Sequence, residues 1–353
     1  MPTLTLLRRS GGTLVASALT VSLVATGGAA QAAPADRGAD WLSGRLTGGV
    51  IVDGGFPSYG LTIDTTFAMK AIGGHGTDIK QMRNALEQHV GDYIGTGGEK
   101  YAGATAKLLV AAQVTGADPR SFGGVNLVRR LNSLVKKKGP AKGRIVDQSK
   151  LGDFANTLGQ VLAVRGLTRA GSHRAGDARR FLLEQQCQQG FFRLEFSKLK
   201  AANQGCGTNS LPDPDATSYA VLELWKTSKG HPAFRSALKR ALSWLLDHQR
   251  KSGAFIGGTT TATPNSNSTG LAAWALGTAG KCGPAKKAAA WVADLQVGAE
   301  PGTSPLAGER GAIAYNRAAL KAGERDGITA GTEDSWLRAT SQAAPSLLFR
   351  HGC

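Results

Sequence analysis

The pattern Gln-x-x-x-Gly-x-Phe occurs twice in this chain, at Gln186–Phe192 and at Gln249–Phe255, and each copy follows a segment with the apolar spacing of an amphipathic helix. A second pattern, an Asp or Asn before a small residue and a Thr, opens apolar segments at Asp64, Asp215 and Asn267. Units that recur in this way are typical of folds that use one supersecondary element several times. The repeats therefore predict the architecture, and they say much less about activity.

Helical segments of two kinds alternate from Asp40 onward. The first kind is polar and basic with one apolar stripe, a spacing of three and four that predicts a helix with one buried face. The second kind is rich in apolar and small residues and is predicted to be buried on most sides. The first kind covers 39–46, 81–94, 127–135, 175–186, 234–249 and 285–295, and the second covers 64–72, 102–114, 154–166, 215–225, 267–276 and 333–347.

Two concentric rings of six helices satisfy this alternation, and strand patterns are poor. We therefore expect an all-α fold, a single α6/α6 toroid that forms one domain over residues 33–353. Asp64, Asp215 and Asn267 are expected to cap the N-termini of their helices, because each side chain can accept a bond from a free amide of the first turn.

Residues 1–32 are predicted to be a signal peptide. Arg8 and Arg9 precede a short apolar stretch, and Ala30-Gln31-Ala32 has the small-x-small pattern of a cleavage site. The stretch is too short and too diluted with small residues to predict a retained membrane anchor. We expect a secreted, extracellular protein, exported by the general or the twin-arginine route.

The four cysteines all follow the predicted cleavage site. An even number in an exported chain predicts disulfide bonds. Of the three possible pairings we favour Cys187–Cys206 with Cys282–Cys353. A metal site is not predicted, because the chain has no Cys-x-x-Cys and its histidines do not cluster with the cysteines.

The formal net charge of +17 predicts a surface that attracts anions, such as cell-wall polymers. A solubilising basic exterior is the alternative interpretation. The longest basic cluster, Lys136–Lys138 with Lys142 and Arg144, lacks interleaved aromatic residues, so a nucleic-acid partner is not predicted.

The alternating helices and the Gln-x-x-x-Gly-x-Phe turns resemble the α/α toroid of squalene and terpene cyclases, protein prenyltransferase β-subunits and cobalamin carriers. A third site, Gly54-Gly55-Phe56, keeps the Gly-Phe turn but has Val50 in place of the Gln. The chain is similar in particular to exported bacterial prenyltransferase/squalene-oxidase-repeat proteins. The resemblance implies parallel inner helices whose N-termini gather at one rim, where their dipoles favour an anion.

Within this resemblance, Asp213-Pro214-Asp215 is similar to the Asp-x-Asp-Asp motif of class II terpene cyclases. The middle Asp of that motif protonates an alkene, and its position falls on Asp215. The fourth position is Ala216 instead of Asp, and the chain has no room for the second helical domain that these cyclases usually carry. The competing interpretation of Asp215 is a helix cap.

The resemblance places aromatic and polar residues at the rim, where they are expected to contact a ligand. These residues are Phe56, Tyr59, Asp64, Phe191, Phe192, Tyr219, Phe255, Asn267, Tyr315 and Trp336. We expect a secreted protein that binds a small or oligomeric, anionic ligand at this rim, without a cofactor. One alternative is a cyclase-like or lyase-like enzyme with Asp215 as general acid, and another is a wall-associated interaction protein that uses its basic face.

Overall fold

The computed structural model describes residues 33–258 and 261–353, and the predicted signal peptide lies outside the described residues. Six helices of the described part form an inner set: α2 (Tyr59–Ile72), α5 (Ala102–Thr115), α7 (Thr157–Arg169), α9 (Pro214–Leu224), α11 (Ser266–Thr278) and α14 (Glu333–Ala343). Six more form an outer set: α1 (Pro34–Ser43), α3 (Gly76–Gln88), α6 (Leu127–Leu134), α8 (Ala175–Glu184), α10 (Pro232–His248) and α12 (Cys282–Ala293). The predicted alternation is confirmed.

Each inner helix packs against the next one in the chain, and α14 packs against α2. The inner helices therefore enclose a central space, which we call the lumen. Each outer helix packs against an inner helix that is its neighbour in sequence, and α1 contacts both α2 and α14. The inner helices are buried on nearly all sides because this outer layer covers them, as their apolar sequences require.

The structure contains further elements outside the two sets. A small antiparallel sheet is formed by β1 (Leu46–Thr47), β2 (Val50–Asp53) and β3 (Phe56–Pro57). The short helix α4 (Val90–Ile94) follows α3, α13 (Arg317–Asp326) precedes α14, and a 3-10 turn at Ala344–Phe349 follows it.

The repeated Gln and Gly residues have a structural role in the turns between outer and inner helices. Nε2 of Gln186 donates to the carbonyl oxygens of Gly190 and Ala237, each at 2.8 Å. Gln249 does the same with Gly253 at 3.1 Å and Pro284 at 3.0 Å. Each Gln thus closes its own turn and ties it to the next outer helix.

A third copy of this turn has an insertion between its Gln and its Gly, so the sequence pattern does not show it. Gln296 donates to Gly311 at 3.2 Å and to Pro34 at 2.8 Å, so it ties the last turn to the first outer helix. The predicted third copy at Gly54-Gly55-Phe56 is wrong, because those residues form the turn between β2 and β3. The repeat glycine there is Gly49, where a Cβ would lie 2.7 Å from the carbonyl oxygen of Gln81.

The residue two positions after each repeat glycine is joined to an inner helix. Its amide donates to a side chain of that helix at 2.9–3.0 Å: Ile51 to Thr62, Ile145 to Gln160, Phe192 to Thr217, Phe255 to Thr269, and Ile313 to Thr340. Thr340 lies in the C-terminal half of α14, whereas the other four side chains lie near the N-terminal ends of their inner helices. The turns therefore place those ends, and the residues on them, at one rim.

Candidate functional site

Inside the ring, the inner helices keep partly exposed residues at a spacing of three or four. On α2 these are Asp64, Phe67 and Ala71, and on α11 they include Asn267, Leu271 and Trp274. Residues so spaced share one helix face. Because the remaining faces are buried between helices, these faces line the lumen.

A cavity of about 260 Å³ occupies one part of the lumen. It is lined from five of the inner helices, and Tyr93 of α4 joins them. The lining side chains include Asp64, Tyr93, Lys107, Phe154, Asn156, Leu158, Leu162, Tyr219 and Gln342. The lumen is therefore mixed in character, with polar and charged groups as well as apolar ones.

An ion pair crosses from α5 to α2 in this cavity. Nζ of Lys107 lies 2.7 Å from Oδ1 of Asp64 and donates to the carbonyl oxygen of Gly60 at 2.9 Å. Burial lowers the pKa of Lys107, but Asp64, Tyr93 and Tyr219 together outweigh this effect and raise that pKa. Burial also raises the pKa of the Tyr219 and Tyr93 hydroxyls. The cavity thus holds a charged amine beside two neutral phenols.

The prediction that Asp64 caps a helix is wrong. α2 begins at Tyr59, a full turn earlier, so Asp64 lies inside the helix and faces the lumen. The caps predicted at Asp215 and Asn267 are also wrong. Asp213 caps α9 through the amide of Ala216 at 2.7 Å, and Asn265 caps α11 through the amide of Ser268 at 2.8 Å.

Asp215 lies in the first turn of α9 with its Oδ1 buried and without a hydrogen-bond partner among the described residues. Loss of solvent, followed by the negative charge of Asp213, raises the pKa of Asp215 to about 7, and a hydrogen bond with Ser268 opposes this rise. A carboxyl group in this state exchanges its proton near neutral pH.

The start of α11 and the strand-like segment before α13 complete this end of the lumen. Burial and then the charge of Asp215 raise the pKa of Tyr315. The amide of Ser266 donates to the carbonyl oxygen of Tyr315 at 2.8 Å. Oδ1 of Asn267 is buried without a partner among the described residues. The structure therefore brings together Asp215, Asn267 and Tyr315, with Tyr219 one turn further along α9.

Other residues expected at the rim lie elsewhere. Phe191, Phe192 and Phe255 are buried in the hydrophobic core. Phe56 is 77% exposed on the small sheet. Tyr59 stacks on His89, outside the residues that line the cavity.

Trp336 lies apart from the lumen cavity as well. It packs close to Gly323 of α13 and lines a separate cavity of about 130 Å³. Most of the aromatic residues predicted at the rim therefore do not line the lumen cavity.

The lumen residues that the sequence did not suggest are charged residues within apolar helices. Lys107 is the sole charged residue of α5. Arg165 of α7 and Glu223 of α9 form an ion pair that lines a second lumen cavity, of about 160 Å³, with Trp274. A charge in the middle of a buried helix was the signal that could have revealed them, since such groups are buried only when paired.

A cavity of about 560 Å³ lies between 193–197 and 203–213, and Asp213, the capping residue of α9, is one of its lining residues. The disulfide Cys187–Cys206 holds one wall, and Cys282–Cys353 joins the last residue to the start of α12. Both predicted pairings are confirmed.

Two searches of residues 33–258 and 261–353 gave negative results. No group of three His, Cys, Asp or Glu side chains there could hold a metal ion. No helix in that part of the chain is long and apolar enough to cross a membrane.

No protein-family model matches the chain, and no curated protein matches its sequence. Solved structures do match it. A type II terpene cyclase, MstE from Scytonema, superimposes with a TM-score of 0.61 at 14% identity over 89% of this chain and 96% of that chain. A protein from Actinoplanes gives 0.60 at 16% identity over 90% and 98%.

ent-Copalyl diphosphate synthase from Streptomyces platensis superimposes with a TM-score of 0.52 at 16% identity, over 83% of this chain and 52% of that chain. At such identities the likeness concerns the fold and not the activity. The chain therefore has the terpenoid cyclase-like α/α toroid fold that its repeats predict.

Proposed function

We propose that the chain is an enzyme that donates a proton to its substrate, with Asp215 as the general acid and the lumen as the substrate cavity. The observation that carries this proposal is the state of Asp215. Its pKa of about 7 is close to neutral pH, and its Oδ1 has no structural hydrogen bond among the described residues. A general acid works best when its pKa lies near the pH at which it operates.

The cap of α9 strengthens this assignment. A cap interpretation of Asp215 competed with the acid interpretation, but the capping bond belongs to Asp213. Asp213 also supplies the neighbouring negative charge that helps to keep the proton on Asp215. The absence of a second Asp at Ala216 leaves this chain with a pair of carboxyl groups, in place of the three of the cyclase motif.

The proposed reaction begins when Asp215 transfers its proton to a basic atom of the substrate, either an alkene carbon or a bridging oxygen. A protonated alkene becomes a carbocation, which closes a ring and then loses a proton to water. A protonated bridging oxygen leaves as an alcohol when its C–O bond breaks, and water adds to the carbon. Solvent returns a proton to the carboxylate of Asp215 before the next cycle. We further propose the α6/α6 toroid as the detailed architecture, with α13 as an insertion before the last inner helix. The two cyclases among the structural neighbours support acid chemistry on this fold.

Non-catalytic binding in the lumen is the second candidate. The cavity lined by Lys107 and Tyr219 supports it, since a mixed concave site with a few polar groups is the usual form of a ligand pocket. In that case Asp64, Asn267 and Tyr315 would contact the ligand, as the sequence predicts, and Asp215 would donate a hydrogen bond without transferring its proton.

A substrate screen with matched variants tests the proposal. The mature protein is incubated at pH 6 to 8 with geranylgeranyl dihydroxybenzoate, a substrate bound in a solved MstE structure. The same is done with geranylgeranyl diphosphate and with methyl glycosides of common hexoses, whose alkoxide leaving group has to be protonated. Products are followed by liquid chromatography with mass spectrometry. Asp247→Asn serves as control, because Asp247 is exposed on α10.

General acids contribute about 100- to 10,000-fold to rate, so Asp215→Asn is expected to lower turnover by at least about 100-fold. Asp247→Asn is expected to retain it. Turnover that survives in Asp215→Asn would contradict the acid role. A ligand that binds to the protein and is recovered unchanged from every reaction would favour the binding function instead.

A further inference from the structure

The lumen cavity beside Asp215 has a polar half. Asp64 offers a carboxylate acceptor and Lys107 an ammonium donor, held 2.7 Å apart. The hydroxyl groups of Tyr93 and Tyr219 line the same cavity and form no hydrogen bond with another described residue. A hydroxyl group can both donate and accept, so these groups suit a ligand that offers several donors and acceptors at once.

The cavity also has an apolar part. It is formed by Phe154, Leu158 and Leu162, at and near the start of α7. Phe154 is 72% exposed even though it borders a cavity, so its ring is available as a surface for a ligand. A ligand that fits both halves has one polar side and one apolar side.

The charges of the cavity nearly cancel. Lys107 is paired with Asp64, and the nearby Arg338 is paired with Asp334 at 2.7 Å. A charged ligand would have to displace one of these pairs, whereas a neutral hydroxylated ligand would not. A long polyene would place its apolar chain against the Lys107–Asp64 pair and remove its remaining solvation, which is unfavourable.

The size of the cavity limits the ligand further. Its volume of about 260 Å³ lies just below the roughly 300–1,000 Å³ of pockets for drug-sized ligands. It therefore fits one small ring.

We propose that this cavity binds a single neutral pyranose ring, with its hydroxyl groups on Asp64, Lys107, Tyr93 and Tyr219 and its apolar face on Phe154 and Leu158. The proposal names a substrate class for the acid at Asp215, one turn from Tyr219 on α9, and that part of it rests on the proposed function. The proposal that the cavity binds a pyranose ring does not depend on the acid role of Asp215.

Saturation-transfer NMR with methyl pyranosides of glucose, mannose and galactose tests the inference. Cyclohexylmethanol, a ring of similar size without the hydroxyl groups, is the comparison ligand. At least one pyranoside is expected to receive saturation and to bind more tightly than cyclohexylmethanol. Removal of one hydrogen bond in Tyr219→Phe is expected to weaken binding by about tenfold, and Phe154→Ala by a similar factor.

Tyr59→Phe is the matched control, because Tyr59 lies on the same helix as Asp64 but does not line the cavity. It is expected to bind the pyranoside unchanged. Thermal unfolding and circular dichroism show whether each variant is folded. Absence of binding by every pyranoside, or binding that Tyr219→Phe and Phe154→Ala leave unchanged, would overturn the inference.

Asp215→Asn separates the two proposals. This variant is expected to keep pyranoside binding and to lose turnover. Turnover of a polyprenyl substrate without pyranoside binding would overturn the inference and leave the acid role of Asp215 standing. Pyranoside binding without turnover of any glycoside or polyprenyl substrate would support the inference while it contradicts the proposed function.

Discussion

Asp213 and Asp215 lie two residues apart at the start of α9, and their carboxyl groups have different surroundings. Oδ1 of Asp213 accepts the amide of Ala216 at 2.7 Å and caps the helix, whereas Oδ1 of Asp215 has no hydrogen-bond partner among the described residues. The first residue thus stabilises the helix, and the second retains a proton that it can give up near neutral pH.

Variants of these two residues should separate the structural role from the chemical one. Loss of an N-cap costs about 1 kcal/mol, so Asp213→Ala is expected to lower the free energy of unfolding by about that amount. Asp213→Asn should retain the cap. Asp215→Ala should not show a capping loss at pH 5, where Asp215 is protonated. Urea unfolding at pH 5 measures all three, and equal losses in the two alanine variants would show that Asp215 shares the cap.

The pH dependence of stability gives a second test of Asp215. The pKa of its carboxyl is raised from 3.8 to about 7 in the folded state, so between about pH 4 and pH 7 the unfolded chain releases a proton that the folded chain keeps. The folded state therefore loses stability as pH rises through this window, by at most about 1.4 kcal/mol per pH unit. Below about pH 4 the carboxyl of Asp215 is protonated in both the folded and the unfolded state, so it does not change the free energy of unfolding.

Asp215→Asn has no proton to lose. Its free energy of unfolding relative to the parent protein is expected to increase from pH 4 to pH 7 and then to level off, with a total change of up to about 4 kcal/mol. Urea unfolding at four pH values measures this. A constant difference across the range would show that the pKa of Asp215 is ordinary.

A double-mutant cycle on the lumen ion pair is expected to show strong coupling. Lys107→Met leaves the carboxylate of Asp64 without its partner, and each side chain keeps about a fifth of its surface exposed. We expect this variant to lose about 2–3 kcal/mol, somewhat less than for a fully buried pair. Lys107→Met combined with Asp64→Leu should recover most of the loss. Additive losses in urea unfolding would indicate that solvent screens the pair.

The helices could be predicted well from the sequence because burial determines their apolar periodicity and composition. The same pattern of burial recurs in each inner and outer helix. The twelve expected segments all contain a helix, with ends that differ by a few residues. The disulfides were also predictable, since four cysteines allow only three pairings. α13 was missed because only Leu320 and Gly323 of its ten residues are buried, so its apolar stripe is short.

The site was less predictable because it depends on the exact starts of helices. Asp64, Asp215 and Asn267 each occupy a plausible cap position in the sequence, but their helices begin earlier, which turns all three toward the lumen. The aromatic residues of the repeat were taken for ligand contacts, whereas Phe192 and Phe255 fill the core where the turns join the inner helices. Their fixed spacing reflects packing.

Close packing of the inner helices gives a fourth prediction. A Cβ on Gly270 of α11 would collide with the backbone of Ala343 of α14. Gly270→Ala is expected to lower the free energy of unfolding by about 1–3 kcal/mol through overpacking. Gly176→Ala is the control, because Gly176 has open space in the first turn of α8 and a helical backbone. That variant should gain about 0.5 kcal/mol. Thermal unfolding could instead show that the Gly270→Ala and Gly176→Ala variants are equally stable. In that case α11 and α14 can move apart to make room for a methyl group without a loss of stability.

The basic exterior gives the last prediction. Lys136, Lys137 and Lys138 are exposed and border a surface cavity of about 410 Å³. Arg144, expected in the same cluster, is buried against Asp153, and Lys142 is paired with Asp177 at 3.1 Å. Within this cluster, the charges without an ion pair among the described residues are therefore those of the three lysines.

If this patch holds the protein on anionic cell-wall polymers, retention on purified walls should fall steeply between about 0.1 M and 1 M salt, as the screening length shortens from about 10 Å to about 3 Å. Replacement of Lys136, Lys137 and Lys138 by Gln should weaken retention at low salt. Lys142→Gln is the matched control, because its charge is already balanced by Asp177. Retention that neither salt nor the triple replacement changes would exclude this patch as the wall-binding surface.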